Sequence, residues 1–147
     1  MNTIKKLVVI FFAAPLLISG GCKKKTKTCG GVPNVGVSFT IDLNQPQYNP
    51  LTITGSSMAV TGGNAGVIVY RYQTDQFKAY DGLCPYDGSS NSNAVVQIQS
   101  NKITAKCPVC GSVFELSDGA VISGPSTCPL KAYNATYDGV STVSVSN

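Results

Sequence analysis

Hydrophobic and polar residues alternate with a period of two along much of the chain after residue 36. Val37, Phe39, Ile41 and Leu43 alternate with polar side chains, as in a strand with one buried face. Short runs rich in β-branched and aromatic residues predict further strands at 66–72, 77–80, 94–98, 102–105, 112–116, 120–122 and 140–145. Because no window shows a sustained period of 3.6 residues, we predict an all-β fold.

Turn signals separate these predicted strands. Four Asp-Gly pairs occur, at residues 81–82, 87–88, 118–119 and 138–139, and both residue types tolerate the positive φ angles of tight turns. Turn formation therefore explains these aspartates better than paired acid–base catalysis does. Many short strands joined by such turns are typical of a β sandwich or barrel-like domain.

The first 21 residues have the pattern of an export signal. Lys5 and Lys6 precede an apolar run at 7–19, which is shorter than the roughly 20 residues that span a membrane and typical of a signal peptide. Small residues lead directly to Cys22, an arrangement that resembles a bacterial lipobox, whose cysteine carries lipid. The alternative is an ordinary secretory signal followed by an incidental Cys22.

This interpretation divides the chain into three parts. We predict a lipoprotein signal peptide at 1–21, a lipid-anchored flexible tether at 22–35, and a single β domain at 36–147. Lys23 follows the cysteine where an aspartate is associated with inner-membrane retention in some bacteria. We therefore expect a protein of the cell envelope that is attached through Cys22, most simply to the outer membrane.

The charge distribution excludes one class of partner, and the composition excludes several chemistries. Six of the eleven basic residues lie in the first 27 positions, so residues 29–147 carry five basic and seven acidic residues, a net charge of −2. A nucleic-acid-binding domain carries its basic surface on the folded part, so we expect no nucleic-acid partner. The chain has no histidine, which excludes Ser-His-Asp and Cys-His catalysis and an imidazole pH switch.

Two cysteine-containing loops carry the most specific motif. Cys84-Pro85-Tyr86 is followed by the sequence CPVCGSVF at 107–114, by Gly124-Pro125 and by PLKAY at 129–133. In this order the motifs resemble those of Rieske [2Fe-2S] domains, and they also resemble small bacterial Rieske-like lipoproteins that lack the histidines. The resemblance implies an antiparallel β domain with a small inserted subdomain, formed by residues 80–87 and 106–114, that binds the cluster through two loops.

The resemblance also implies roles for individual residues. Cys84 and Cys107 occupy the positions of the two thiolate ligands of one iron, whereas Tyr86 and Cys110 occupy those of the two histidines on the other. With Cys128 as a further thiolate, we predict Cys84, Cys107, Cys110 and Cys128 as metal ligands.

Three other residues fall around the expected cluster. Ser112 lies where a serine hydroxyl hydrogen-bonds a sulfide in the family, and Pro125 lies on the loop that shields the cluster. Tyr86 is expected beside the ligands.

The missing histidines leave three alternatives for the chemistry. In the first, three cysteines hold a cluster together with Cys128, Tyr86 or Asp87 as the fourth ligand. In the second, the cluster is lost and the cysteines pair as disulfides, which an oxidising compartment favours. In the third, residues 107–110 form a redox-active C-x-x-C motif, which requires a following helix to lower the thiol pKa.

We therefore expect a membrane-anchored one-electron transfer module with a [2Fe-2S] or altered iron–sulfur site, a redox partner protein and no enzymatic activity of its own. The alternative function is a cluster-less, disulfide-stabilised binding or structural module that retains only the scaffold.

Overall fold

The computed structural model describes residues 31–147, whose regular secondary structure is almost entirely β. Within this range there are ten strands and one short 3-10 helix at Pro46–Thr52. The strands are β1 (Ser38–Asp42), β2 (Ser57–Val60), β3 (Val67–Gln73), β4 (Gln76–Asp81), β5 (Gln97–Ile98), β6 (Thr104–Lys106), β7 (Val113–Glu115), β8 (Val121–Ser123), β9 (Ala132–Tyr137) and β10 (Thr142–Ser146).

The strands form two antiparallel sheets. The larger sheet has the order β1-β10-β9-β4-β3-β2, and the smaller has the order β5-β6-β7-β8. All four strands of the smaller sheet lie between β4 and β9 in sequence, so this sheet is an insertion into the larger one. The predicted all-β fold with a small inserted subdomain is confirmed.

Strand β3 separates two hydrophobic cores because both of its faces are covered. Val67 and Val69 face a core shared with Ile41 and Val143, which we call the sheet core. Ile68 and Tyr70 point the opposite way, as alternation along a strand requires. They face a second core, the subdomain core, whose other buried members include Tyr80, Cys84, Val96, Cys107, Phe114 and Leu116. The cysteine loops are thus attached to the main sheet through a continuous apolar layer.

The hydrophobic pattern did not predict two of the strands, β2 and β9. In β9, Tyr133, Ala135 and Tyr137 lie toward the sheet core and alternate with exposed residues, but alanine stands on both faces of the strand, so the hydrophobic contrast between them is weak. β2 has only four residues, and its most buried one is Ser57. The strand predicted at 94–98 is reduced to Gln97–Ile98, preceded by an isolated bridge between Leu83 and Val95.

The folded domain begins before residue 36. Lys131 Nζ donates hydrogen bonds to the carbonyl oxygen of Pro33 at 2.6 Å and to Asn34 Oδ1 at 3.1 Å. The last residues of the predicted tether therefore contact the domain.

The predictions for the signal peptide, Cys22 and most of the tether fall on residues outside the described range. Within 31–147, no helix is long and apolar enough to span a membrane.

Candidate metal centre

Two loops of the inserted subdomain bring three cysteines together. Cys84 lies in the loop after β4, Cys107 directly follows β6, and Cys110 precedes β7. The Sγ atoms of Cys84 and Cys110 are 3.7 Å apart, although 26 residues separate them in sequence. The predicted convergence of the two loops is confirmed.

Asp87 completes a group of four donors. One ligand atom from each of Cys84, Asp87, Cys107 and Cys110 can be chosen so that all four atoms lie within 4.8 Å of one another. Cys84 and Cys107 are fully buried, whereas Asp87 and Cys110 are half-buried. Three sulfurs and one carboxylate oxygen form a complete donor set for a four-coordinate metal ion.

Backbone hydrogen bonds hold the first loop. The Cys84 N–H donates to the Ala94 carbonyl at 2.8 Å, and the Gly88 N–H donates to the Cys84 carbonyl at 2.8 Å. Gly88 is closely packed, since an added Cβ would lie 2.6 Å from the Cys84 carbonyl oxygen. The turn that presents Cys84 and Asp87 therefore requires glycine at this position.

The second loop is closed in a similar way. The Cys107 N–H donates to the Ser112 carbonyl at 2.9 Å, and the Gly111 N–H donates to the Cys107 carbonyl at 3.0 Å. Gly111 has a φ of 77°, in the left-handed region that glycine adopts without a steric penalty. The chain then enters β7 as a strand, so the helix that a redox-active C-x-x-C motif requires does not follow Cys110.

The environment of Cys84 favours the neutral thiol. Burial raises the pKa of Cys84 to about 12, and the neighbouring Cys107 and Cys110 act in the same direction. Hydrogen bonds from the backbone of Asp87 and Tyr86 act in the opposite direction and lower the pKa. A cation bound between the sulfurs would supply the positive charge that a buried thiolate needs.

A third loop packs against the second. Cys110 Sγ donates to Ser112 Oγ at 3.2 Å, and the Ser126 N–H donates to the same oxygen at 3.0 Å. Gly124, with a φ of 104°, allows the close approach, because an added Cβ would lie 2.5 Å from Ser112 Cα. Ser112 thus lies beside a candidate ligand. Pro125 is exposed on this third loop.

Tyr86 lies on the first loop, between Cys84 and Asp87 in sequence. Its side chain is half-buried and packs against the subdomain core.

The prediction of Cys128 as a metal ligand is wrong. Cys128 is disulfide-bonded, so its sulfur cannot offer a thiolate, and it is not a member of the four-donor group. Cys84, Cys107 and Cys110 are free, so the alternative in which the four cysteines of the domain pair with one another as disulfides does not hold for these three. Asp87, one of the three fourth ligands considered, is the residue that joins the cysteines. Asp87 lies three residues after Cys84 in sequence, which was consistent with a role as a ligand. However, an Asp-Gly turn accounted for an aspartate at this position equally well.

Comparisons with known proteins agree with the fold. The model of the Rieske-like [2Fe-2S] domain family matches residues 47–146 of the 147-residue chain. The chain therefore belongs to the Rieske-like [2Fe-2S] domain family. No curated protein matches the chain.

Several solved structures are similar. The ferredoxin of carbazole 1,9a-dioxygenase from Nocardioides aromaticivorans IC177 is 20% identical over 76% of this chain and 97% of its own, with a TM-score of 0.48. The Sphingomonas yanoikuyae B1 ferredoxin is 21% identical over 65% of this chain and 88% of its own, with a TM-score of 0.45. The E. coli protein NirD is 20% identical over 76% of this chain and 98% of its own, with a TM-score of 0.41.

The residues present do not fit the histidine-ligated cluster. In a Rieske centre two cysteines bind one iron and two histidines bind the other, and this chain contains no histidine. The site offers three thiolates and one carboxylate instead. The family fold is therefore combined here with a different donor set.

Proposed function

We propose that the protein is a one-electron carrier of the cell envelope whose iron is held by an altered, thiolate-rich site. The observation that carries the proposal is the group of three free cysteines and one aspartate on the two loops of a Rieske-like domain. Iron bound there would alternate between its ferrous and ferric states. We assign no catalytic step to the protein.

The position of the group suits electron exchange with another protein. Cys110 is half-buried, and Val109 beside it is 46% exposed. The donor set therefore lies close beneath the surface at the tip of the second loop. A redox partner that contacts this tip would come near the metal without opening the domain.

Voltammetry of the anaerobically purified protein tests the proposal. We expect a reversible one-electron wave whose potential is nearly constant between about pH 6 and 9, because no histidine is present to titrate. The variant Asp87→Asn should shift or abolish the wave. The matched control Asp118→Asn, in another Asp-Gly turn, should leave it unchanged.

The alternative function, a cluster-less structural or binding module, makes the opposite prediction. It requires a folded protein with neither a bound metal nor a reversible wave after anaerobic purification. The three free cysteines favour the carrier, because a module stabilised only by disulfides has no use for them.

The membrane attachment is a separate part of the proposal and rests on the sequence before Cys22. In a bacterial host that processes lipoproteins, the full chain should fractionate with membranes, and within them with the outer membrane. Cys22→Ser should move the protein to the soluble envelope fraction without changing its circular dichroism spectrum. Retention of the variant in membranes would contradict lipid attachment at this residue.

A further inference from the structure

The four-donor group is unusually compact for a two-iron cluster. All four ligand atoms lie within 4.8 Å of one another, and Cys84 Sγ lies 3.7 Å from Cys110 Sγ. One metal ion and two metal ions require different separations between their ligand atoms.

One tetrahedral ion reproduces the observed separations. With metal–sulfur bonds of about 2.3 Å, the edge of a tetrahedron measures about 3.8 Å. Two irons that share bridging sulfides form two tetrahedra with a common edge, which places outer ligands on different irons about 5.3 Å apart or farther. Four of the six donor pairs would have to reach that separation, whereas none exceeds 4.8 Å.

Burial and hydrogen bonds fix the conformation of each loop that carries the donors. Cys84 and Cys107 are fully buried, and the backbone of each is hydrogen-bonded within its own loop. On the Cys110 side, Ser112 is held by the Ser126 N–H. Gly124 packs so tightly on Ser112 that even an added methyl group would clash. The contacts of Ser112 with the third loop therefore restrain the Cys110 side of the site.

We propose that Cys84, Asp87, Cys107 and Cys110 bind a single tetrahedral divalent ion, Zn²⁺ or Fe²⁺, and no bridging sulfide. Three thiolates and one carboxylate suit both ions, and the affinity order of divalent metals places zinc above iron. This inference rests on the ligand set of the proposed function and adds the number of metal ions. With iron the site could still carry an electron, and with zinc it would be redox-inert.

Metal and acid-labile sulfide analysis of the full chain, purified anaerobically, tests the inference. We expect one metal ion per chain and no labile sulfide. Reconstitution with Fe²⁺ without sulfide should also saturate at one equivalent. Two irons with two sulfides per chain would overturn the inference while leaving the electron carrier intact. One zinc ion without a redox wave would support it and overturn the carrier.

Titration with Co²⁺ as a spectroscopic probe identifies the ligands. The wild type should bind one equivalent with the visible absorption of a tetrahedral thiolate site. Asp87→Asn should weaken Co²⁺ binding by more than about tenfold, and Cys110→Ser should remove part of the thiolate-to-cobalt absorption. Asp118→Asn should bind as the wild type does. Unchanged binding and spectra in folded Asp87→Asn and Cys110→Ser variants would overturn the assignment.

Discussion

At the scale of single residues, Asp81 is the most deeply embedded charged group among the described residues. It is fully buried at the end of β4 and accepts hydrogen bonds from the Leu83 N–H, from the N–H and side-chain amide of Asn64, and from the Tyr133 hydroxyl. A buried carboxylate is tolerated only when such donors replace water. These bonds fix the chain where it leaves β4 for the Cys84 loop.

Removing the Tyr133 hydroxyl should therefore be costly. We expect Tyr133→Phe to lower the free energy of unfolding by about 1.5–3 kcal/mol, the range for hydrogen bonds to charged groups. Urea denaturation at pH 7 measures the change. Tyr137→Phe is the matched control, because the Tyr137 hydroxyl donates to an exposed carbonyl, that of Val140. Its loss should cost less, and equal losses in the two variants would contradict the role given to Asp81.

The Tyr133 hydroxyl also makes the free energy of unfolding depend on pH in the alkaline range. Burial raises the pKa of Tyr133, and the Asp81 carboxylate raises it further. The unfolded chain, with an ordinary tyrosine pKa near 10, releases this proton first. The stabilisation is therefore complete below about pH 10 and is lost as the pH rises above it. Tyr133→Phe should lower stability at pH 7 but reduce the slope of stability against pH above 10.

At the scale of elements, the function of the site depends on three loops more than on the strands that carry them. The loop after β4 supplies Cys84 and Asp87, the turn between β6 and β7 supplies Cys107 and Cys110, and the loop after β8 covers Ser112. Strand β8 ends at Ser123, and Gly124 turns the chain onto Ser112. The third loop thus restrains Cys110 through the Ser112 hydroxyl.

Substitution of Gly124 should disturb this contact. We expect Gly124→Ala to destabilise the protein by more than the roughly 1–2 kcal/mol of a left-handed backbone penalty alone, because the added methyl would lie 2.5 Å from Ser112 Cα. Gly139→Ala isolates the backbone penalty, since Gly139 has a φ of 81° with nothing within 4 Å of an added Cβ. Thermal unfolding and Co²⁺ affinity together measure the effect. Equal losses of stability in the two variants would show that the contact between Gly124 and Ser112 does not contribute to stability.

At the scale of the whole molecule, the metal centre and the main sheet belong to one folding unit. Strands β3 and β4 contribute alternate side chains to both cores, Ile68 and Tyr80 to the subdomain core and Val69 and Ala79 to the sheet core. Neither core can be exposed without uncovering one face of these two strands. The energy of metal binding should therefore stabilise the entire domain.

Metal removal tests this coupling. We expect a chelator to lower the melting temperature of a single calorimetric transition, and a return of the metal to restore it. The stabilisation is about 2.7 kcal/mol when the free metal concentration is one hundred times its dissociation constant. In Asp87→Asn the chelator should have little effect. Two separate transitions in the wild type would show that the subdomain unfolds on its own.

The sequence by itself determined the features that depend on neighbouring residues. The alternation at 37–43 and the β-branched run at 66–72 predicted β1 and β3, because a period of two reports directly which face of a strand is buried. The order of the cysteine, glycine and proline motifs predicted the fold and the pairing of the two loops. Strand β9 was missed, because alanine lies on both of its faces and weakens the contrast on which this pattern depends.

Only the tertiary structure decided which residues meet at the site. Asp87 and Asp118 each precede a glycine in a turn, yet among the described residues only the carboxylate of Asp87 reaches the three sulfurs. Cys128 was predicted as a ligand because it is a cysteine, but its sulfur forms a disulfide bond. The distance between two donors depends on which loops the sheets bring to the same end of the domain, and a local turn signal does not specify it. The candidate donor group and its compactness therefore followed from packing across the two sheets.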